Sequence, residues 1–267
     1  MMLPLVDESE RRWNYVGLVG GQIGYRLLNS LAKVSPGNEI TTAYDGKSKM
    51  EVFFGPEIWD ELADKTVADF GCDEGIEAVD MAQHGVCRVI GIDIREDALE
   101  SARKRAAEAG LEDRCSFVQE IQEKVDVVVS LDAFEHFSDP LAMLSKMRGL
   151  IRDDGYVLTC FGPTWYHPLG GHGFSIFPWA HLIFSERALL RWHREKFASS
   201  AYRFEEVPGG LNQLTISRFE ELISQSDFEI RDFETVPIRK LRPLANRLTR
   251  EFTTAVVKCK LVPRARN

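Results

Sequence analysis

The chain is predicted to be an α/β protein, doubly wound around a mostly parallel sheet of seven strands. Three observations predict this. Short apolar runs alternate with helical periods from Thr66 to Phe161. A glycine-containing turn, Gly71-Cys72-Asp73-Glu74-Gly75, follows the first run. An aspartate, Asp93, closes the second run. Strand–helix alternation of this kind places helices on both faces of a parallel sheet.

In order along the chain, residues 7–33 have the spacing of one or two amphipathic helices, and residues 35–50 (SPGNEITTAYDGKSKM) read as loop. TVADF (66–70) is a short buried strand, followed by the turn and a helix to about His84. CRVIGID (87–93) is the second strand, and EDALESARKRAAEAG (96–110) is a helix with Gly110 as its stop signal. CSFV (115–118) and VDVVVSL (125–131) are the third and fourth strands. A helix from Pro140 to Ile151 and a fifth strand, GYVLTCF (155–161), complete the alternation. Residues 162–184 then break the rhythm with Gly, Pro, His and aromatics and no clear period. Helices near 185–197 and 215–226 follow, and residues 228–238 and 252–262 read as a closing antiparallel strand pair. The expected organisation is a helical cap over 1–60 and a main domain over 61–267, with an insert at 162–200 after strand five.

The chain has 267 residues, 44% hydrophobic and 28% charged, which is ordinary for a folded domain. No apolar run approaches the roughly 20 residues of a spanning helix, and the start MMLPLVDESERRW lacks the order of a signal peptide. Five cysteines without CxxC spacing fit a reducing compartment, so a cytoplasmic protein is expected. The net charge of −8 hides an asymmetry. Nine of the 33 Lys and Arg, but one of the 41 acids, lie from Pro237 onward. The acidic body argues against nucleic acid as a generic partner. The basic end reads either as a solvated hairpin or as a contact with an anionic partner or membrane surface, so peripheral membrane contact is one expectation.

Ligands of open α/β sheets bind at the carboxyl ends of strands, where glycines let the backbone approach them. Gly71 and Gly75 would supply that approach, and Asp93 could accept hydrogen bonds from both ribose hydroxyls of an adenosine ligand. A dinucleotide fingerprint would need glycines at 71, 73 and 76, but Asp73 and Ile76 stand at two of these positions. Acids beside the turn would also repel a pyrophosphate, which disfavours an NAD-dependent oxidoreductase. They tolerate a cofactor carrying sulfonium and ammonium cations.

VADFGCDEG, VIGIDI and VDVVVSLDAFEHFSDP, in this order, resemble the class I S-adenosylmethionine-dependent methyltransferases, which have a Rossmann-like fold. The resemblance runs from about Thr66 to Phe161. It implies S-adenosylmethionine as cofactor, with Asp69 and Gly71 at its methionine end. It also implies Asp93 on the ribose, Ile94 on the adenine, and Cys72, Gly75 and Asp132 lining the site. Asp73 departs from the usual middle glycine, and Gln119 and Glu120 are weak candidates for adenine contact.

Leu131-Asp132-Ala133-Phe134-Glu135-His136 ends strand four. If residues 132–136 begin a helical turn, Asp132, Glu135 and His136 share one face. This could form a half-site for Mg²⁺ or Mn²⁺. The spacing is similar to the Glu-x-x-Glu-His site of ubiquinone-pathway O-methyltransferases and small-RNA 2′-O-methyltransferases, which implies a metal on the acceptor hydroxyl. A metal-free pocket is the other reading, with His136 as base and Glu135 orienting it. A partner histidine is expected from the insert, as His172 or His181, with His167 a further candidate ligand.

The insert's aromatics (Trp165, Tyr166, Phe174, Phe177, Trp179 and Phe184) suit an acceptor lid for a small-molecule substrate. They suit equally a hydrophobic plug over the sheet edge or an interfacial membrane element. Gly170, Gly171 and Gly173 would permit lid movement. The expected function is O-methylation of a hydroxyl on a small or lipid-like molecule. N-methylation and a non-catalytic S-adenosylmethionine-binding module are the alternatives.

Overall fold

The structure, a computed structural model, describes residues 17–31, 47–197, 199–207 and 210–265. Residues 7–16 and 32–33 of the segment predicted as one or two helices over 7–33, and residues 35–46 of the predicted loop, lie outside the described residues. The central strands of the sheet are buried on both sides. β1 (Thr66–Phe70), β2 (Arg88–Ile92), β3 (Cys115–Val118), β4 (Val125–Leu131) and β5 (Ile151–Phe161) run parallel. β1 and β2 are near-continuous apolar runs, as a sheet covered on both faces requires. Among the described residues the sheet has seven strands in the order β3-β2-β1-β4-β5-β7-β6. β7 (Thr254–Pro263) lies antiparallel between β5 and β6 (Phe228–Pro237).

One face carries α4 (Ile76–Gln83) and α5 (Glu96–Glu108). Ala78, Met81, Leu99 and Ala102 pack there with Val67, Val89 and Val127. Two short helices before the sheet, α2 (Lys49–Phe54) and α3 (Ile58–Leu62), add Met50, Phe53, Ile58 and Leu62 to the same core. α6 (Pro140–Leu150) and α9 (Ile216–Gln225) cover the other face through Leu144, Met147, Ile216, Phe219 and Leu222. Local chemistry sets the helix starts. Asp139 accepts from Ala142 N ahead of Pro140, and Thr215 accepts from Arg218 N.

The insert builds a third core of its own. Trp165, Phe174, Phe184, Leu189, Trp192 and Phe204 pack together, and Leu28 of α1 (Gly21–Leu31) joins them. α7 (Ala180–Ile183) and α8 (Glu186–Phe197) supply the helical part, and Val19 N and O bond across to Ile183 and Ser185. α1 therefore packs with the insert, whereas α2 and α3 pack with the sheet core. Of the three lid glycines, Gly173 has open space around it, but Gly170 and Gly171 are closely packed. A Cβ on Gly170 would stand 2.3 Å from two backbone oxygens, and one on Gly171 would stand 2.4 Å from His181 Cβ. Both are close-packing positions, not hinges. Of the insert's aromatics, Trp165, Phe174 and Phe184 are buried in this core, and Tyr166, Phe177 and Trp179 are half-buried against it.

Candidate active site

The carboxyl ends of β1, β2, β4 and β5 meet at one edge. Gly71 has φ +84° and Gly75 φ +72°, the left-handed region that favours glycine. A Cβ on Gly75 would stand 2.7 Å from Ala102 Cβ and 2.8 Å from the Phe117 ring. That glycine is required by packing against α5 and β3. The turn is tied to the second strand, because Gly71 N and Cys72 N both donate to Ile92 O. The Cys72 side chain is buried, its Sγ donating to Asp73 O at 3.7 Å, and burial raises its thiol pKa. Asp73 occupies the usual glycine position at φ 46°, a conformation aspartate tolerates better than most residues. Its N–H donates to Asp93 Oδ2 at 3.0 Å, and its carboxylate takes Arg95 Nη2 at 2.6 Å. Arg95 N donates to Asp93 Oδ1 at 2.9 Å. Ile94, beside this carboxylate, is 87% exposed, with Gln119 Nε2 donating to its carbonyl at 3.4 Å.

Acids concentrate at the ends of β1 and β4. Asp69 is buried, its Oδ2 has no hydrogen-bond partner, and its carboxyl is held well above the usual range, first by burial and then by the charge of Glu77. Lys49 Nζ lies 3.0 Å from Glu77 Oε1 and 2.9 Å from Asp132 Oδ2. The residue comes from a segment read as loop, and neither Lys49 nor Glu77 was picked out by sequence. A cofactor with an ammonium and a sulfonium fits this edge. It would meet an orphaned buried carboxylate at Asp69, a glycine turn the backbone can open, and a carboxylate beside an exposed apolar side chain at Asp93 and Ile94.

A divalent metal does not fit. Asp132 has φ 50° and its N–H donates to Cys160 O, so no α-helical turn starts there. A short 3-10 turn begins only at Phe134. The three side chains diverge. Asp132 faces Lys49, Glu135 Oε1 accepts from Gly162 N at 3.2 Å, and His136 Nδ1 faces Gly210 O at 2.8 Å. Among the described residues no group of three or more His, Cys, Asp and Glu side chains gathers in a metal-holding arrangement.

The carbonyl of Gly210 can only accept, so His136 Nδ1–H donates to it, and in the neutral imidazole Nε2 is the basic nitrogen. The orientation of His136 comes from this carbonyl, not from Glu135 as expected. Asn212, which sequence did not single out, fixes the same turn by donating through Nδ2 to Phe134 O and Phe137 O. His172, at φ 49°, sets its ring edge-to-face on His136 with centroids 5.2 Å apart. Burial lowers its pKa to about 4, and its buried Nε2 has no partner. Burial and the Asp132 charge raise the Glu135 carboxyl to about 8, and its Oε2 is likewise unpartnered. Glu135, His172 and Gln213 line a cavity of about 10 Å³, room for roughly one water and not for an organic acceptor.

His181 is removed from the catalytic candidates. It is buried, and both nitrogens are committed inside the insert, Nδ1 to Ser175 Oγ at 2.9 Å and Nε2 to Trp165 O at 2.7 Å. His167 is also engaged, its Nδ1 accepting from Leu169 N.

Sheet order, the glycine turn and the acid after β2 match the expected Rossmann-like methyltransferase fold. Residues 68–159 match the family described as a methyltransferase domain. The ubiquinone biosynthesis O-methyltransferase of Neisseria meningitidis serogroup C is 38% identical over 104 residues, covering 36% of this chain and 44% of that protein. Its counterpart from Serratia proteamaculans is 34% identical over 104 residues, covering 36% and 42%. The chain thus matches less than half the length of these curated relatives. The magnesium protoporphyrin IX methyltransferase of Synechocystis PCC 6803, solved with S-adenosylhomocysteine, shares the fold at 18% identity and a TM-score of 0.53, covering 91% of this chain and 95% of that one.

Proposed function

We propose that the chain methylates a hydroxyl group of a small organic molecule, using S-adenosylmethionine. The observation that carries this reading is the polarity of His136, whose proton is held on Nδ1 by a backbone carbonyl while Nε2 keeps its lone pair at the end of β4. A hydroxyl acceptor must lose a proton as it is methylated, and an imidazole whose Nδ1–H is already committed can take it on Nε2. The O-methyltransferase names of the matched relatives support the choice of oxygen over nitrogen.

When bound, the cofactor supplies an electrophilic methyl on a sulfonium. Asp93 would hold the ribose hydroxyls, Ile94 would cover the adenine, and Asp69 would receive the ammonium. Asp132 and Glu77 would add negative potential on the methionine side, with Lys49 moderating it. His136 Nε2 would take the acceptor's proton, and His172, neutral at physiological pH, would wall the pocket without competing for it. Glu135, protonated at neutral pH, would offer its O–H toward the cavity. The remaining contribution is alignment and exclusion of water, which reaches about 7–11 kcal/mol in well-oriented systems. We read residues 61–267 as the methyltransferase unit and the 162–200 insert as the wall on the acceptor side.

The test is methyl transfer from labelled S-adenosylmethionine to a panel of hydroxylated and amine-bearing molecules. Transfer to phenolic or alcoholic members is expected. Transfer confined to amines would replace oxygen with nitrogen, and failure to bind S-adenosylhomocysteine would remove the reading altogether.

A further inference from the structure

The loop between β6 and β7, residues 238–253, stands at the same sheet edge as the site. β6 and β5 each pair antiparallel with β7, with Pro237 opposite Thr254 and Phe161 opposite Val257. The end of β6 and the start of β7 therefore lie where β5 ends. The loop adjoins the insert, because the Phe252 and Tyr166 rings are 5.1 Å apart between centroids.

Its composition is one-sided. Arg239, Lys240, Arg242, Arg247 and Arg250 fall within twelve residues that contain no acid. Arg250 is engaged, in a two-pronged pair with Glu220. The side chains of the other four are exposed and have no ion-pair or hydrogen-bond partner among the described residues. Between them stand two leucines turned to solvent, Leu244 at 61% exposure and Leu248 at 93%. The backbone that presents them is held in place. Ile238 N donates to Thr253 O at 2.7 Å, Thr249 Oγ1 donates to Leu244 O at 2.6 Å, and Asn246 Oδ1 accepts from Leu248 N at 2.8 Å. α10 (Arg250–Thr253) closes the loop.

Unpaired cations flanking protruding aliphatic side chains are what an anionic lipid surface recognises. The cations meet the phosphates, and the apolar groups enter the boundary between headgroups and acyl chains. A nucleic acid would leave the leucines without a partner, and the acidic body would oppose it. We propose that the 238–253 loop docks the protein on an anionic bilayer. Leu244 and Leu248 insert, and Arg239, Lys240, Arg242 and Arg247 contact the headgroups. Docking there would bring the acceptor side of the insert to the membrane face. The inference stands on the loop alone and does not depend on the identity of the methyl acceptor.

The experiment is co-sedimentation of the full chain with vesicles of phosphatidylcholine alone or mixed with phosphatidylglycerol, at low and high salt. The mixed vesicles should retain the protein about tenfold better at low salt, and high salt should abolish the difference. The double variant Leu244→Asp, Leu248→Asp should lose most of the binding while its thermal unfolding and S-adenosylhomocysteine affinity stay unchanged, which separates this proposal from the cofactor reading. Arg242→Ala with Arg247→Ala should reduce binding and its salt dependence together. Absence of vesicle binding by the wild type, equal retention on both vesicle types, equal retention of the leucine variant, or preferential capture of an RNA oligonucleotide over anionic vesicles would each overturn the proposal.

Discussion

Replacing Glu135 with Gln should stabilise the protein, and increasingly so as the pH rises. The Glu135 carboxyl is buried at the end of β4, with Oε1 accepting from Gly162 N and Oε2 unpartnered. Burial, then the charge of Asp132, raises it from an ordinary 4.5 to about 8. The folded state therefore holds this proton more tightly than the unfolded chain does. Below about pH 4.5 both states are protonated and the residue has no pH-linked effect. As pH rises toward 8 the unfolded chain releases the proton and the folded one keeps it, so stability falls at up to about 1.4 kcal/mol per pH unit. At pH 7 the loss is on the order of 3 kcal/mol, and it levels off near 5 kcal/mol above pH 8. Gln keeps the shape and an acceptor for Gly162 N but cannot ionise. Urea unfolding of wild type and Glu135→Gln at pH 5, 7 and 8.5 measures the difference directly, with equal m-values as the control. The gap should be small at pH 5 and widen across the series. A gap that stays constant with pH, or narrows, would show that Glu135 is ionised in the folded state and would refute the reasoning.

Asp93→Ala should weaken S-adenosylhomocysteine binding by about 1–3 kcal/mol in calorimetry, the scale of lost charge-assisted hydrogen bonds, and unchanged affinity would remove the ribose assignment. His136→Ala should lower turnover by about 100-fold while cofactor affinity holds, and full activity would disqualify the imidazole as base. Because the Asp132, Glu135 and His136 side chains diverge, EDTA should leave methyl transfer unaffected, and loss of activity restored by Mg²⁺ or Mn²⁺ would contradict the geometry. Gly171→Ala, whose Cβ would stand 2.4 Å from His181 Cβ, should destabilise the protein by about 1–3 kcal/mol, and an unchanged unfolding midpoint would mean the insert yields more easily than its packing implies.

The parallel core was legible because its strands are buried on both faces and write themselves as short apolar runs. β3 and β4 fall at the residues predicted. β5 begins four residues early, at Ile151, because Arg152-Asp153-Asp154 resembles a turn. The strand instead runs through it, with Gly155 closely packed against Asp126 O. The left-handed backbone at Asp132 could not be read from composition, and it undid the shared helical face on which the metal half-site depended. Lys49 escaped notice because its ion pairs with Glu77 and Asp132 cross 28 and 83 positions, with no local pattern to mark them. The insert's histidines looked alike in sequence. Only their partners separate His181, bonded at both nitrogens, from His172, with a bare Nε2.

The carboxylates at the methionine side bear on how a methylation cycle would end. Glu77 and Asp132 gather there with Lys49 as counter-ion. S-adenosylmethionine carries one more positive charge than the thioether left after transfer. Under the proposed function, a wall of this sign grips the loaded donor and loses its hold once the charge departs with the methyl. Turnover would then resist inhibition by accumulating product, and the protein would respond to the ratio of fresh to spent donor rather than to their total.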